Sequence, residues 1–319
     1  MRIYFILTAV LCIFCLTAPL ITFTINASPG KDKGAQSLTE TSAAEKTTAE
    51  KISVLNLTSA EATQTDMTEY IIGVVAGEMP ASFSPEALKA QAVAAYTYAQ
   101  YVRENGADSI TDSPALHQSY IDKDAQKSKW GDDYGLYRQR IEDAVNAVKG
   151  ERLTCNGKTA LTVFHAASHN KTNSAEEIWG SAVPYLISVD APSEETFSNT
   201  ATFTADEFRS RFEEKGNVEI TEKDFKKWAS VSKKDESGHI RSLKVADKDF
   251  TAVEVKEILD LPSADFTGKI ENDTFVFTAF GKGHGVGMSQ YSAEYMAKQG
   301  KSYKEILAHF YPGTAIEKE

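Results

Sequence analysis

The chain has 319 residues, a formal charge of −11 and three cysteines. That length suffices for one large folded domain or two small ones. The acidic balance, without a concentrated Lys/Arg stripe, argues against nucleic acid as a partner. The single body cysteine, Cys155, excludes an internal disulfide or a four-cysteine zinc site there.

In chain order, Ile3 to Ile25 is an apolar run of 23 residues without a formal charge. Such a run can span a bilayer as a helix, and it exceeds the roughly 7 to 15 apolar residues of a cleaved leader. Arg2 precedes it, and the next charges are Lys31 and Asp32. The expected arrangement is therefore a single-pass anchor over residues 1–27 with an exported body; a cleaved signal segment is the alternative. Residues 28–65 are poor in aromatics and rich in Thr, Ala, Ser, Glu and Lys. They read as an extracytoplasmic tether with one short strand at Ile52 to Leu57. Residues 66–319 read as the folded body.

Its first expected helix covers Met67 to Gly77 or Glu78, because Pro80 disfavours helical geometry at Met79. A second starts at Ser84-Pro85-Glu86, with Leu88, Ala92, Ala95, Ala99 and Val102 at helical spacing and Gly106 as its stop. Arg138 to Val148 reads as a helix, and Arg152 to Cys155 and Ala160 to His165 as strands. Further on, Ala205 to Lys215 and Glu222 to Ser230 read as surface helices. Ile240 to Val245, Thr251 to Val255 and Phe275 to Phe280 read as strands. Ser289 opens a helix through Lys298, and Ser302 with Glu305 forms a capping-box pattern for Tyr303 to Phe310. The expected fold class is α+β, with mixed helices and largely antiparallel short strands around a substrate groove.

Three groups could carry chemistry. Glu78 stands in I-I-G-V-V-A-G-E-M-P-A, an apolar setting at a helix carboxyl end. Desolvation and the unsatisfied carbonyls there both favour its protonated form. A carboxylic acid so tuned can protonate a leaving oxygen and then accept a proton; a paired or solvated helix-end glutamate is the plainer alternative. His284 lies in G-K-G-H-G-V-G-M-S-Q, which matches neither a phosphate loop nor a dinucleotide fingerprint. It is either a binding or proton-handling group or a histidine held in a tight turn. In F-H-A-A-S-H-N-K-T-N-S-A-E-E-I-W-G, residues His165, Ser168, His169, Asn170 and Thr172 gather polar groups after a strand. No dense metal-ligand pattern appears there, and Trp179 reads as a core anchor in preference to a sugar platform. Asp112, Asp132 or Asp133 could supply a second carboxylate for a glycosidase.

Three blocks together resemble the stage II sporulation protein D family. They are V-V-A-G-E-M-P-A-S-F-S-P-E-A-L-K-A-Q-A-V-A-A-Y-T-Y-A, N-S-A-E-E-I-W-G-S-A-V-P-Y-L, and G-K-G-H-G-V-G-M-S-Q-Y-S-A with Y-K-E-I-L-A-H-F-Y-P-G-T. The resemblance implies a peptidoglycan lytic transglycosylase acting in sporulation engulfment. Such an enzyme cleaves the β-1,4 bond between N-acetylmuramic acid and N-acetylglucosamine and leaves 1,6-anhydro ends. It implies Glu78 as the catalytic residue and peptide-stripped strands as substrate. The implied partners are an amidase of the stage II sporulation protein P type and a membrane protein of the stage II sporulation protein M type. The expected location is the engulfing membrane, with the body outside the cytoplasm. His284, Ser289, Gln290, Ser168, Thr172, Gln91 and Tyr96 are the substrate-binding positions expected beside Glu78; no cofactor or metal is expected. The chain departs from the family pattern at Tyr96, where arginine is common, and at His169 and Asn170, where glycines are common. The zinc site of some members is not carried over, since the body has only Cys155. The competing class is a non-catalytic wall-binding regulator that stimulates an amidase.

Overall fold

A computed structural model describes residues 50–235 and 238–318. These belong to one compact unit, Thr48–Glu319, and contain no helix long and apolar enough to cross a membrane. The anchor expected at residues 1–27 lies outside the described residues.

The first described strand, β1 (Lys51–Asn56), falls where the short strand was expected, inside the stretch read as tether. It pairs antiparallel with β2 (Glu61–Asp66). Helix α1 (Met67–Glu78) follows at once, with the Asp66 carboxylate accepting from the Glu69 N–H. Tyr70, Ile71, Ile72, Val74, Val75 and Ala76 are all buried, so α1 is covered nearly all round. It stops at Met79, whose extended backbone (φ −124°, ψ 142°) suits the residue before Pro80.

Helix α2 (Pro85–Glu104) starts with Pro85, but Ser84 caps differently from the expected pattern. Its side chain makes no cap bond, and its N–H instead donates to Glu294 Oε2 at 2.6 Å. The buried alanines of α2 let α1, later helices and a strand approach closely. After the short strand β3 (Ile110–Thr111) and a loop come α3 (Lys123–Trp130) and α4 (Tyr134–Ala147). Strands β4 (Glu151–Cys155) and β5 (Lys158–Thr159) form a hairpin. The strand expected over Ala160 to His165 shrinks to β6 (Phe164–His165). Strand β7 (Asn170–Lys171), helix α5 (Ala175–Trp179) and strand β8 (Asp190–Ala191) complete this part of the helical lobe.

Residues 198–280 build a second lobe with its own aromatic core, including Phe208, Phe212, Phe250, Phe266, Phe275 and Phe277. It comprises β9 (Ser198–Phe203), α6 (Ala205–Gly216), β10 (Ala229–Lys234), β11 (Ile240–Val245), β12 (Lys248–Thr251), α7 (Ala252–Leu259), β13 (Phe266–Glu271) and β14 (Thr274–Phe280). Its sheets run in the orders β10-β11-β12 and β13-β14-β9, with all pairings antiparallel. Two expectations fail here. Glu222 to Ser230 is no α-helix: a 3-10 turn at Phe225–Lys227 leads into β10. Thr251 to Val255 is not a strand: Thr251 and Glu254 form a capping box that starts α7 despite its β-branched residues.

The chain then returns to the helical lobe. Strand β15 (Met288–Ser289) pairs in parallel with β6, helices α8 (Gln290–Lys298) and α9 (Tyr303–Phe310) pack on α2, and β16 (Ala315–Lys318) closes on β4. The fold is α+β with short, mostly antiparallel strands.

Candidate active site

Glu78 ends α1, and the loop from Ser113 to Ile121 is laid across that end. Gly77 makes this possible: a Cβ there would sit 2.9 Å from both the carbonyl oxygen and the hydroxyl of Ser119. The close approach puts the Ser119 N–H 2.6 Å from Glu78 Oε1. From another direction Gln290, at the start of α8, gives Glu78 a side-chain hydrogen bond and also donates to Gln91 Oε1 at 3.3 Å. Burial pushes the Glu78 carboxyl upward; Ser119, Gln290 and the positive charge of Lys129 oppose this, and the net shift is upward. Lys129 makes no ion pair with Glu78; its Nζ donates to the Ala76 carbonyl at 2.8 Å.

The carboxyl is reached from two sides. One cleft, of about 450 Å³, runs past Tyr98, the Pro114–Gln118 loop, Trp179 and His284. The other, of about 430 Å³, runs past Lys129, Trp130, Tyr137, Lys282 and Tyr291. Among the described residues, Glu78 is the one that lines both, and it is the sole carboxylate in either wall.

The glycine-rich turn forms the far wall. At Gly283 (φ +107°) a Cβ would press 2.9 Å from the His165 Cβ, and at Gly287 (φ +71°) it would overlap the Val163 carbonyl. Only glycine allows the turn to lie this close to β6. His284 Nδ1 accepts from the Val286 N–H at 3.1 Å, and the ring also bonds the Phe164 backbone. Burial pushes it down to about 4. It is thus a neutral ring whose nitrogens are occupied, offering a surface to the cleft. His165 lies behind it, with Nδ1 donating to the Val286 carbonyl at 3.1 Å and Nε2 accepting from Ser168 Oγ at 2.6 Å. Burial holds it down to about 3.

The expected site residues separate into three sets. Glu78, His284 and Gln290 line the clefts. Gln91 stands behind Gln290, and Ser168 behind His165. Ser289, Thr172 and Tyr96 line neither cleft. Ser289 is fully buried and accepts from Ser292, Thr172 fastens the Ile187–Val189 turn, and Tyr96 donates to Glu50. Asp112, Asp132 and Asp133 also line neither cleft. Trp179 corrects the core assignment: it is 43% exposed, its ring 5.6 Å from that of His284. The Ser174/Glu177 capping box and left-handed Gly180 fix the short helix that presents it, so Glu177 serves as a cap. The sequence reading missed Ser119, Lys129, Lys282 and Leu116; only the high glycine content near Glu78 hinted that another segment would come close.

A possible metal-ligand group lies apart from the clefts. Asp235, His239 and Asp265 offer ligand atoms within 4.8 Å of one another. Arg241 already lies between the carboxylates. Its Nη2 donates to Asp235 Oδ2 at 2.7 Å, whereas its Nη1 lies 2.8 Å from Asp265 Oδ1, close enough for charge but outside hydrogen-bond alignment. The guanidinium supplies the compensating cation. Asn173 ties this cluster to the glycine turn by donating to Asp265 Oδ2 at 3.1 Å, accepting from Arg241 at 2.8 Å, and donating its N–H to the Gly285 carbonyl at 2.7 Å.

Comparison with known proteins agrees with the three sequence blocks. A family model described as stage II sporulation protein matches residues 57–155, which include Glu78, Ser119 and Lys129. The chain is 35% identical to stage II sporulation protein D of Bacillus amyloliquefaciens over 327 residues, covering 96% of this chain and 93% of that protein. It is 38% identical to stage II sporulation protein D of Bacillus subtilis over 259 residues, covering 78% and 73%. It is also 27% identical over 297 residues to the amidase enhancer of Bacillus subtilis, covering 76% of this chain and 40% of that one. On these matches, the chain belongs to the stage II sporulation protein D family.

Proposed function

We propose that the chain cleaves peptidoglycan glycan strands as a lytic transglycosylase during sporulation, at the bond between N-acetylmuramic acid and N-acetylglucosamine. The observation that carries this reading is Glu78: among the described residues it is the one group common to two clefts, its carboxyl pushed above the ordinary range by burial, with no second carboxylate in either wall. A protonated Glu78 donates to the glycosidic oxygen as the bond breaks. Its conjugate base then takes the proton of the muramic acid 6-hydroxyl, which attacks the anomeric carbon and closes the 1,6-anhydro ring. An inverting glycosidase needs a second carboxylate to activate water, and a retaining one needs it as nucleophile; an internal hydroxyl needs neither. Residues 1–27 and the stretch from 28 up to β1 fit an anchor and a tether that hold this body at the outer face of a membrane, beside an amidase and a membrane partner; β1 and β2, expected within the tether, belong to the body instead.

The test is incubation of the full chain with peptide-free glycan strands, followed by mass spectrometry. Anhydro-ended products from the wild type, and none from Glu78→Gln, support the reading. A second reading is favoured by the similarity to a protein named amidase enhancer. On that reading the groove holds glycan and the chain stimulates a separate amidase. Strand binding and amidase stimulation that persist unchanged in Glu78→Gln, with no anhydro product from the wild type, would favour it.

A further inference from the structure

The two clefts beside Glu78 differ in charge. The walls of the Trp179 cleft contain neither lysine nor arginine. Burial lowers the proton affinity of His117, His165 and His284, so these rings add no positive charge near neutral pH. The other cleft carries Lys129 and Lys282, and neither is ion-paired among the described residues. Lys129 gives one N–H to the Ala76 carbonyl, which fixes its head and leaves two donors. Lys282 is held through its backbone: its N–H donates to the Ala167 carbonyl at 2.7 Å, and its own carbonyl accepts from the Ala167 N–H at 3.1 Å.

The two sugars of a glycan strand differ in one ionisable group. Muramic acid bears a 3-O-lactyl ether, whose carboxylate is free when the peptide has been removed and is an amide when it has not. N-acetylglucosamine bears no such group. We infer that the Lys129/Lys282 cleft is a carboxylate-reading subsite for the lactyl group of peptide-free muramic acid, and that the neutral sugar leaving from Glu78 lies against Trp179 in the opposite cleft. The inference rests on the glycan reading of the groove and fixes which way the strand lies across the acid. Trp179, with one exposed ring face beside the neutral His284 ring, offers an apolar surface for a pyranose. Trp130, Tyr137 and Tyr291 give the lysine cleft aromatic walls, so its difference from the first cleft is chiefly its charge.

The test measures binding to the full chain carrying Glu78→Gln, so that cleavage does not consume the probe. Two probes are compared: peptide-free strands with free lactyl carboxylates, and the same strands with those carboxylates converted to methylamides. The free-acid strands are expected to bind about tenfold more tightly, a modest gain because both lysines are partly exposed to solvent. Lys129→Met with Lys282→Met should bring the two probes to equal affinity. Trp179→Ala should weaken both probes equally and preserve their ratio. Equal binding of the two probes, or a ratio that survives loss of both lysines, overturns the assignment; so does a ratio abolished by Trp179→Ala alone. These outcomes are separable from the cleavage reading. A wild-type chain that forms no anhydro product but keeps the carboxylate preference loses only its catalytic role, and one that cleaves without the preference loses only this subsite.

Discussion

The two lobes divide the labour unequally. The helical lobe is packed through small side chains and carries every residue that lines the two clefts. The inserted lobe, 198–280, is packed through stacked phenylalanines and lines neither. It reaches the site from beneath, through Asp265 and Arg241 bonded to Asn173, through the Ser263–Gly283 bridge, and through the charge of Lys256 acting on His284. Close backbone approach in the first lobe builds a groove, whereas the aromatic core of the second builds a support. Chemistry and stability should therefore fail separately when each lobe is altered.

The largest expected effect is in the helical lobe. Glu78→Gln should reduce cleavage by at least ~10²-fold, the lower end for a lost general acid-base. The same substitution should raise the melting temperature at pH 7. The folded pKa of Glu78 lies above its ordinary 4.5, so the folded chain binds the proton more tightly than the unfolded chain. Folding then weakens as pH rises from 4.5 through the folded value, and glutamine removes that penalty. The gain should vanish below pH 4.5, which thermal melts across pH will check.

In the inserted lobe, Arg241→Met should leave the buried Asp265 and the partly buried Asp235 without their cation, at a cost of up to ~3–5 kcal/mol read by denaturant unfolding. Cleavage per folded molecule should remain unchanged, and a fall in it would end the division between the lobes. A smaller change is expected from Gly77→Ala, where overpacking against Ser119 costs about 1–3 kcal/mol. Here cleavage should fall along with stability, because the N–H on Glu78 moves. The last check is an acid response, spread over several pH units. His165 and His284 are held at about 3 and about 4, below their ordinary 6.5, so the unfolded chain takes up protons first. Stability is full above pH 6.5 and should decline as pH falls through that window, less steeply in His284→Gln.

Much of the helical lobe was legible in the sequence because its signals are local. Pro80 and Pro85 bound two helices, Ser302 and Glu305 cap a third, and a glutamate among apolar residues marks itself. Helix α3 escaped because it buries only Gln126 and so shows no apolar period. The start of helix α7 read as a strand because β-branched Thr251, Val253 and Val255 outweighed its capping box. The partners of Glu78 were hidden for another reason. Ser119 is 41 residues away and acts through its backbone N–H, which no side-chain pattern records. Trp179 looked like core because a tryptophan's exposure depends on where a five-residue helix is aimed.

The groove joins Glu78 and the loop after β3 to Lys282, His284 and Gln290, segments that lie some two hundred positions apart along the chain. During ribosomal synthesis the acid emerges long before its opposite wall. A nascent or carboxyl-clipped chain carries the carboxyl but not the surface that would hold a sugar against it. A chain cut between the two segments should therefore hold no glycan strand, although it keeps the acid.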